Sequence, residues 1–175
     1  MATAKNRKPD MSTRVARFQA LKPSLQAFVD TRLPEHRREI FNVIGRGVTE
    51  DASLQPAIAE AEGFNVTYIK AQPGKGAALH AHATVEVFIA MSGQWAVYYG
   101  DEGREEIALG PWDVVSVPAG VMRGFRNSGK QDAYLMAILG GTDAGHVTWS
   151  PDVLQKARRT GLDRDAKGNL VEHRY

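Results

Sequence analysis

The sequence predicts an all-β protein, an antiparallel β-barrel or jelly roll with an N-terminal arm and short flanking helices. The first observation behind this prediction is that apolar and polar residues alternate with a period of two between residues 64 and 140, as in strands that bury one face. The second is that Gly, Pro, Asn, Asp and Ser interrupt the alternation about every 8–12 residues, a spacing typical of sandwiches and barrels. Closing or stacking such a sheet removes exposed strand edges.

The alternating region divides into eight short strands. They are expected at 64–71, 77–83, 85–91, 95–99, 105–109, 114–117, 122–127 and 133–139. A helix is expected after them at 151–160, because Ser150 is a favourable N-cap, Pro151 fits the first helical position and Gly161 ends the segment.

The rest of the chain is expected to flank this barrel. The predicted segments are a disordered tail at 1–12, an arm with short helices that pack on the barrel at 13–63, the barrel at 64–140, and a loop and helix at 141–175. Within the arm, residues 39–44 form a small apolar group. A short helix is expected at 56–62, since Pro56 can start it and Gly63 can end it.

The apolar residues at the start of the arm are too irregularly spaced for a core of their own. They are Val15, Phe18, Leu21, Leu25, Phe28 and Val29. Burying them against a second barrel would remove their exposure, so we expect a homodimer.

The composition excludes several classes of protein. The 175 residues include no cysteine, which excludes disulfides and thiolate metal sites. The longest apolar runs are about nine residues, as at 133–141, too short to cross a bilayer. The basic N-terminus has no apolar stretch behind it, so we expect a cytoplasmic location. Residues 26–150 carry 10 basic and 15 acidic residues, which disfavours a nucleic-acid-binding surface on the folded body.

Two histidines and a glutamate form the candidate metal site. His80 and His82 stand two residues apart and Glu86 follows four residues later, a spacing that can direct all three side chains to one face. Two imidazoles and a carboxylate, with no thiolate, suit Fe(II), Mn(II), Ni(II) or Zn(II) and leave coordination positions open for water or substrate.

Glycines on either side of this cluster complete a longer motif. Gly74 precedes His80 with five residues between them, and Gly93 follows Glu86 with six residues between them. Together these residues resemble the first motif of the cupin family, Gly-x5-His-x-His-x3-Glu-x6-Gly, at every position.

A second cupin motif follows with two departures. The positions that match it are Asp113, Pro118, Gly120 and Asn127. The glycine expected directly before the aspartate is displaced to Gly110, and Arg123 stands where the family has its third histidine. The resemblance covers residues 64–140 and implies a small β-barrel, a homodimer and a pocket inside the barrel. It does not imply one reaction, because cupins include dioxygenases, isomerases, decarboxylases, storage proteins and binders.

Arg123 leaves three interpretations open. Arginine offers no lone pair, so it cannot replace the missing histidine as a ligand. In the first interpretation the metal is retained and Arg123 anchors an anionic substrate beside it. In the second, Glu86 and Arg123 form a bidentate ion pair in place of the metal. In the third, Arg123 points outward and has no role. We prefer the first, because His80 and His82 have no other evident reason for their spacing.

Further residues are candidates for binding the substrate. Phe125 and Asn127 share the strand parity of Arg123 and are expected to face the same cavity, and Trp95 is also expected to line it. The preferred function is a mononuclear metal-dependent enzyme, a dioxygenase or isomerase-like protein acting on a small anionic substrate. The alternative is a metal-free cupin that binds or senses a small anion without catalysis. No residue is assigned a catalytic role.

Overall fold

The structure is a computed structural model that describes residues 10–173. Twelve strands and one α-helix occur within this range. They are β1 (Glu39–Ile44), β2 (Phe64–Ala71), β3 (Gly76–Ala81), β4 (Glu86–Ala90), β5 (Trp95–Tyr99), β6 (Glu105–Leu109), β7 (Val114–Val117), β8 (Arg123–Asn127), β9 (Ala133–Gly140), β10 (Thr148–Trp149), α1 (Pro151–Arg159), β11 (Leu162–Arg164) and β12 (Leu170–Glu172). Short 3-10 helices precede β1, at Met11–Arg14, Phe18–Ala20, Val29–Arg32 and Pro34–His36.

Two five-stranded antiparallel sheets form the body of the protein. The first sheet has the order β1-β2-β9-β4-β7 and the second has the order β10-β3-β8-β5-β6. This confirms the jelly-roll prediction. The barrel itself is not closed, because no strand ladder joins the two sheets within residues 10–173.

Alternation along each strand places the core between the sheets. In β9, Ala133, Leu135, Ala137 and Leu139 are buried, and the residues between them are only half-buried. A strand turns successive side chains to opposite faces, so one face of β9 lies in the core. The eight strands expected between residues 64 and 140 are observed as β2 to β9, within two residues at each end.

The prediction for the arm was wrong in part. Residues 39–44 form β1, which pairs with β2 and extends the first sheet. The helix expected at 56–62 is absent from the described structure, because the backbone N–H groups of Ala57 and Ile58 donate to Asn42 and Val43 of β1. A helix of only seven residues is marginal on its own, and here the sheet supplies the backbone partners instead.

The ends of the chain also differ from the prediction. Residues 1–9 of the expected disordered tail lie outside the described residues, and the 3-10 helix at Met11–Arg14 includes the last two of the tail. The predicted helix after the barrel is confirmed as α1, although the Ser150 side chain makes no capping hydrogen bond. Beyond it, β11 and β12 form a hairpin. Within residues 10–173 no helix combines the length and apolarity needed to cross a bilayer.

Candidate metal centre

The candidate metal residues lie where the chain passes from one sheet to the other. His80 belongs to β3 of the second sheet, and Glu86 is the first residue of β4 in the first sheet. His82 lies in the segment that joins them, and its carbonyl oxygen accepts a 2.8 Å hydrogen bond from the N–H of Gly120. Because the two strands belong to facing sheets, the crossing directs the imidazoles and the carboxylate into the space between them.

The structure brings the three predicted ligands together. One donor atom from each of His80, His82 and Glu86 can be chosen so that all lie within 4.8 Å of one another. His82 Nε2 lies 3.3 Å from Glu86 Oε2. Ligands about 2.1 Å from one ion, at angles of 90–110°, stand about 3.0–3.4 Å apart, so this separation is one that a metal can bridge. All three residues are buried.

His80 is held in the form that a metal ligand requires. Its Nδ1 lies 2.7 Å from the carbonyl oxygen of Ala78. A carbonyl can only accept, so Nδ1 carries the proton and the lone pair resides on Nε2. A backbone carbonyl commonly fixes metal-binding histidines in this way.

Burial keeps the same histidine neutral. It lowers the pKa of His80 well below the ordinary value of 6.5, and the nearby imidazole of His82 lowers it further. The hydrogen bond to Ala78 opposes this shift to a smaller extent. The Nε2 lone pair of His80 is therefore available at neutral pH.

Arg123 points into the protein, so the outward interpretation was wrong. It is the register partner of His80 across β3 and β8, which places both side chains on the inner face, and it is fully buried. Its Nε lies 3.2 Å from Glu86 Oε2. None of its three guanidinium nitrogens donates a hydrogen bond to residues 10–173, so Arg123 and Glu86 form an ion pair but not the bidentate one of the second interpretation. Burial lowers the pKa of Arg123, against the opposing charge of Glu86.

A small interior cavity borders the histidine cluster. Its volume is about 40 Å³. One water requires about 10–15 Å³ and a drug-sized ligand about 300–1,000 Å³, so the cavity suits a ligand of a few heavy atoms. Its polar lining consists of His80, His82, Glu86, Arg38 and Thr67. The remainder is aromatic and aliphatic.

The residues predicted to bind substrate are divided by the structure. Phe125 lines the cavity, whereas Arg123, Trp95 and Asn127 lie outside its lining. Trp95 is buried in the core, and its indole N–H donates to the carbonyl of Ser92. Strand parity identified the inner face correctly but could not show how far along the strands the cavity extends.

Asn127 has a structural role instead. Its amide nitrogen donates to the carbonyl oxygens of Ala71 and Gln131, and its amide oxygen accepts from the N–H of Gly129. These three bonds tie the end of β8 to the end of β2 and to the loop before β9. The side chain has little capacity left for a ligand.

An arginine that the sequence pattern does not mark also faces the cavity. Arg38 stands between the Pro34–His36 helix and β1, and its side chain is buried against Asp30. It belongs to a run of charged residues, where no periodicity marks one cation as interior.

Glu50 is a second interior charged residue that the sequence pattern does not mark. It is buried in the loop after β1, and its Oε1 accepts hydrogen bonds from the indole N–H of Trp149 and from Arg164 Nη1. Its Oε2 accepts from the N–H of Val29. Burial raises the pKa of Glu50 from 4.5 to about 7, against the lowering effect of these donors. Trp149 lies beside His80, with ring centroids 5.2 Å apart, so Glu50 supports one wall of the site.

The geometry and the spacing agree with a known family. A sequence model described as "Cupin domain" matches residues 67–139, which include His80, His82, Glu86 and Arg123. These residues form a cupin domain. No curated protein matches the sequence significantly.

Solved structures share the fold over most of the chain. The polyketide cyclase RemF from Streptomyces resistomycificus aligns with a TM-score of 0.59 and 16% identity, covering 82% of this chain and 92% of that one. A cupin 2 domain-containing protein from Halorhodospira halophila aligns with a TM-score of 0.51 and 22% identity, covering 70% and 76%. A structure reported with the DMSP lyases RdDddP and RnDddQII aligns with a TM-score of 0.52 and 16% identity, covering 65% of this chain and 53% of that one. At these identities the similarity establishes the fold alone.

Proposed function

We propose that this cupin is a mononuclear metal-dependent enzyme, a dioxygenase or an isomerase-like protein, that acts on a small anionic molecule. The observation that carries the proposal is the buried cluster of His80, His82 and Glu86 at the edge of an interior cavity. Three protein ligands leave coordination positions open, which catalysis on a bound substrate requires.

The donor set fits a divalent metal. Glu86 Oε2 is buried without a hydrogen-bond donor within residues 10–173, and an unpaired buried polar atom is costly unless something binds it. Fe, Mn, Ni or Zn held here would act as a Lewis acid that polarises a substrate oxygen. His80, His82 and Glu86 would hold the metal, and the apolar lining of the cavity would exclude bulk water.

The charges around the cavity support an anionic substrate. Arg123 approaches Glu86, and Arg38 lines the cavity, so two guanidinium groups lie in or beside it. Each guanidinium already lies opposite a buried carboxylate, Asp30 or Glu86, so the support for an anion comes from the buried N–H groups that these pairs leave without acceptors.

One observation favours the alternative, a metal-free anion binder. The oxygen of Glu86 that lies closest to His82 is also the one that lies 3.2 Å from Arg123. In this alternative the guanidinium neutralises the carboxylate and takes the place of the metal.

A titration with divalent metal distinguishes the two functions. Purified without an affinity tag and freed of metal, the wild type is expected to bind one equivalent of Fe(II), Mn(II), Ni(II) or Zn(II), and His80→Ala is expected to lose that binding. His146→Ala is the matched control, because His146 is an exposed histidine outside the cluster. Absence of binding by the wild type would favour the metal-free anion binder.

We also propose that the protein is a homodimer. Phe18 contacts the rings of Phe41, Tyr68 and Tyr134 on the outer face of the first sheet of its own chain, so part of the arm is covered without a partner. Met11, Val15, Phe18 and Leu25 nevertheless remain between 45% and 69% exposed. A second copy seated on this arm surface would remove that exposure.

A further inference from the structure

Arg38 is fixed in place before any ligand arrives. The two N–H groups of its Nη1 are shared among four acceptors, which are both carboxylate oxygens of Asp30 at 3.0 Å, the carbonyl of His36 at 2.7 Å and the carbonyl of Gly76 at 3.3 Å. The centre of its guanidinium lies 5.2 Å from the centroid of the Phe28 ring. An arginine held in this way loses little conformational entropy when it binds a further group.

One donor of this arginine has no partner. Arg38 Nε is buried and makes no hydrogen bond within residues 10–173, although Arg38 lines the cavity and is only 5% exposed. His82 Nδ1, from another residue of the lining, is buried and unpartnered as well. A buried N–H without an acceptor costs free energy, and an oxygen-bearing ligand in the cavity would remove that cost.

Arg123 is less well placed than Arg38 to contact a ligand in the cavity. It lies outside the cavity lining, and its nearest charged group is Glu86. The role in substrate binding that the sequence suggested for Arg123 is therefore better filled by Arg38.

We propose that Arg38 binds the anionic group of the ligand, and that the ligand is a carboxylate with a short apolar body. This rests on the proposed function only in that the ligand is a small anion. A carboxylate supplies the acceptor that Arg38 Nε lacks, and planar guanidinium groups match carboxylate geometry. The limited volume and the apolar lining, which includes Phe28, Ile69 and Leu139, select a body of a few carbon atoms.

Arginine side-chain NMR tests the proposal on the unmodified sequence. Acetate and propionate are the probes, added at low ionic strength to protein freed of metal and of chelator. The Nε–H resonance of Arg38 is expected to shift with saturation as either carboxylate is added. The resonance of Arg126, which is partly exposed and paired with Glu106, is expected to stay in place. Acetamide and propionamide, which match the probes in size but carry no charge, are expected to give no saturable shift. An unmoved Arg38 resonance, or an equal shift with the amides, would overturn the proposal.

Variants provide an independent measurement of the same contact. Arg38→Met combined with Asp30→Asn removes both charges of the buried pair, so no unpaired charge is left to unfold the protein. This double variant is expected to bind propionate about tenfold or more weakly, the loss that corresponds to one charge-assisted hydrogen bond. Arg126→Met is the matched control and is expected to retain wild-type affinity. A larger loss in Arg123→Lys than in the double variant would return the role to Arg123 and contradict the proposal.

The outcome separates this inference from the proposed enzyme. Carboxylate binding that depends on Arg38, in a protein that binds no metal, would support Arg38 as the anchor and contradict the metal-dependent function. Metal binding that depends on His80, with no role for Arg38 in carboxylate affinity, would support the metal-dependent function and contradict Arg38 as the anchor.

Discussion

The guanidinium of Arg123 lies 3.2 Å from the carboxylate of Glu86, yet the two groups do not form an aligned hydrogen bond. Both are buried. A buried charge pair normally offsets its desolvation with well-directed hydrogen bonds, and this pair does so incompletely. The arrangement leaves the Glu86 carboxylate able to serve a metal as well as the arginine.

Arg123→His is expected to tighten binding of divalent metal by at least tenfold. The substitution removes a charge that repels the cation and supplies an imidazole at the position where the family's third histidine stands. Calorimetric titration of wild type and variant with the same metal measures the change. Arg126→His is the control, since it adds a histidine to the same strand at a partly exposed site. Equal affinities for wild type and Arg123→His would contradict the placement of this residue beside the metal ligands.

Arg123→Ala is expected to lower the free energy of unfolding of the metal-free protein by about 3–5 kcal/mol, because it leaves the Glu86 carboxylate buried without its counter-charge. Added metal is expected to restore part of this stability, since the cation can neutralise the same carboxylate. Urea denaturation with and without metal measures both effects. A loss below about 1 kcal/mol would show that Glu86 does not depend on Arg123.

The wild type is expected to lose stability relative to the Glu50→Gln variant as the pH rises. The pKa of Glu50 is about 7 in the folded chain, above its ordinary value of 4.5, so folding favours the protonated carboxyl. The stabilisation from this shift is complete below pH 4.5 and is lost as the pH rises through 7. The unfolding free energy of the wild type minus that of Glu50→Gln is expected to fall by about 2–3 kcal/mol between pH 5 and pH 8.

Urea denaturation of both proteins at four pH values across this range measures that difference. The titration of the histidines is common to the two proteins and cancels. A difference that does not change with pH would mean that Glu50 is ionised throughout, held so by its contacts with Trp149, Arg164 and Val29.

The sequence predicted the parts of this protein that depend on local pattern. Alternation and turn residues located β2 to β9, and the spacing of His80, His82 and Glu86 identified a cluster that the fold brings together. The parts it could not predict depend on contacts between distant segments. Residues 39–44 became a strand because β2 offers an edge, and Arg38 became an interior residue because Asp30 neutralises it. Neither pairing leaves a periodic signal in either segment.

Asn127→Ala is expected to destabilise the protein without changing its affinity for metal. The substitution leaves the carbonyls of Ala71 and Gln131 without their donor and the N–H of Gly129 without its acceptor. A loss of about 2–4 kcal/mol is expected from these unpaired buried groups. Thermal or urea denaturation measures the loss, and metal titration of the folded variant provides the comparison. Weaker metal binding by a variant of unchanged stability would show that Asn127 contributes to the site.

The protein is expected to have about twice its 19.2 kDa chain mass in solution, because the arm surface of Met11, Val15, Phe18 and Leu25 remains exposed in a single chain. Leu25→Glu places a charge on that surface at a side chain that is 69% exposed, so it is expected to weaken the dimer without unfolding the chain. Light scattering across micromolar concentrations measures the mass of wild type and variant. Trp112→Asn is the matched control, since Trp112 is a 73% exposed apolar residue in the β6–β7 turn, and asparagine tolerates its φ of 71°. A mass of about 19 kDa for the wild type would contradict the dimer, and dissociation by Trp112→Asn alone would place the interface at that turn instead of at the arm.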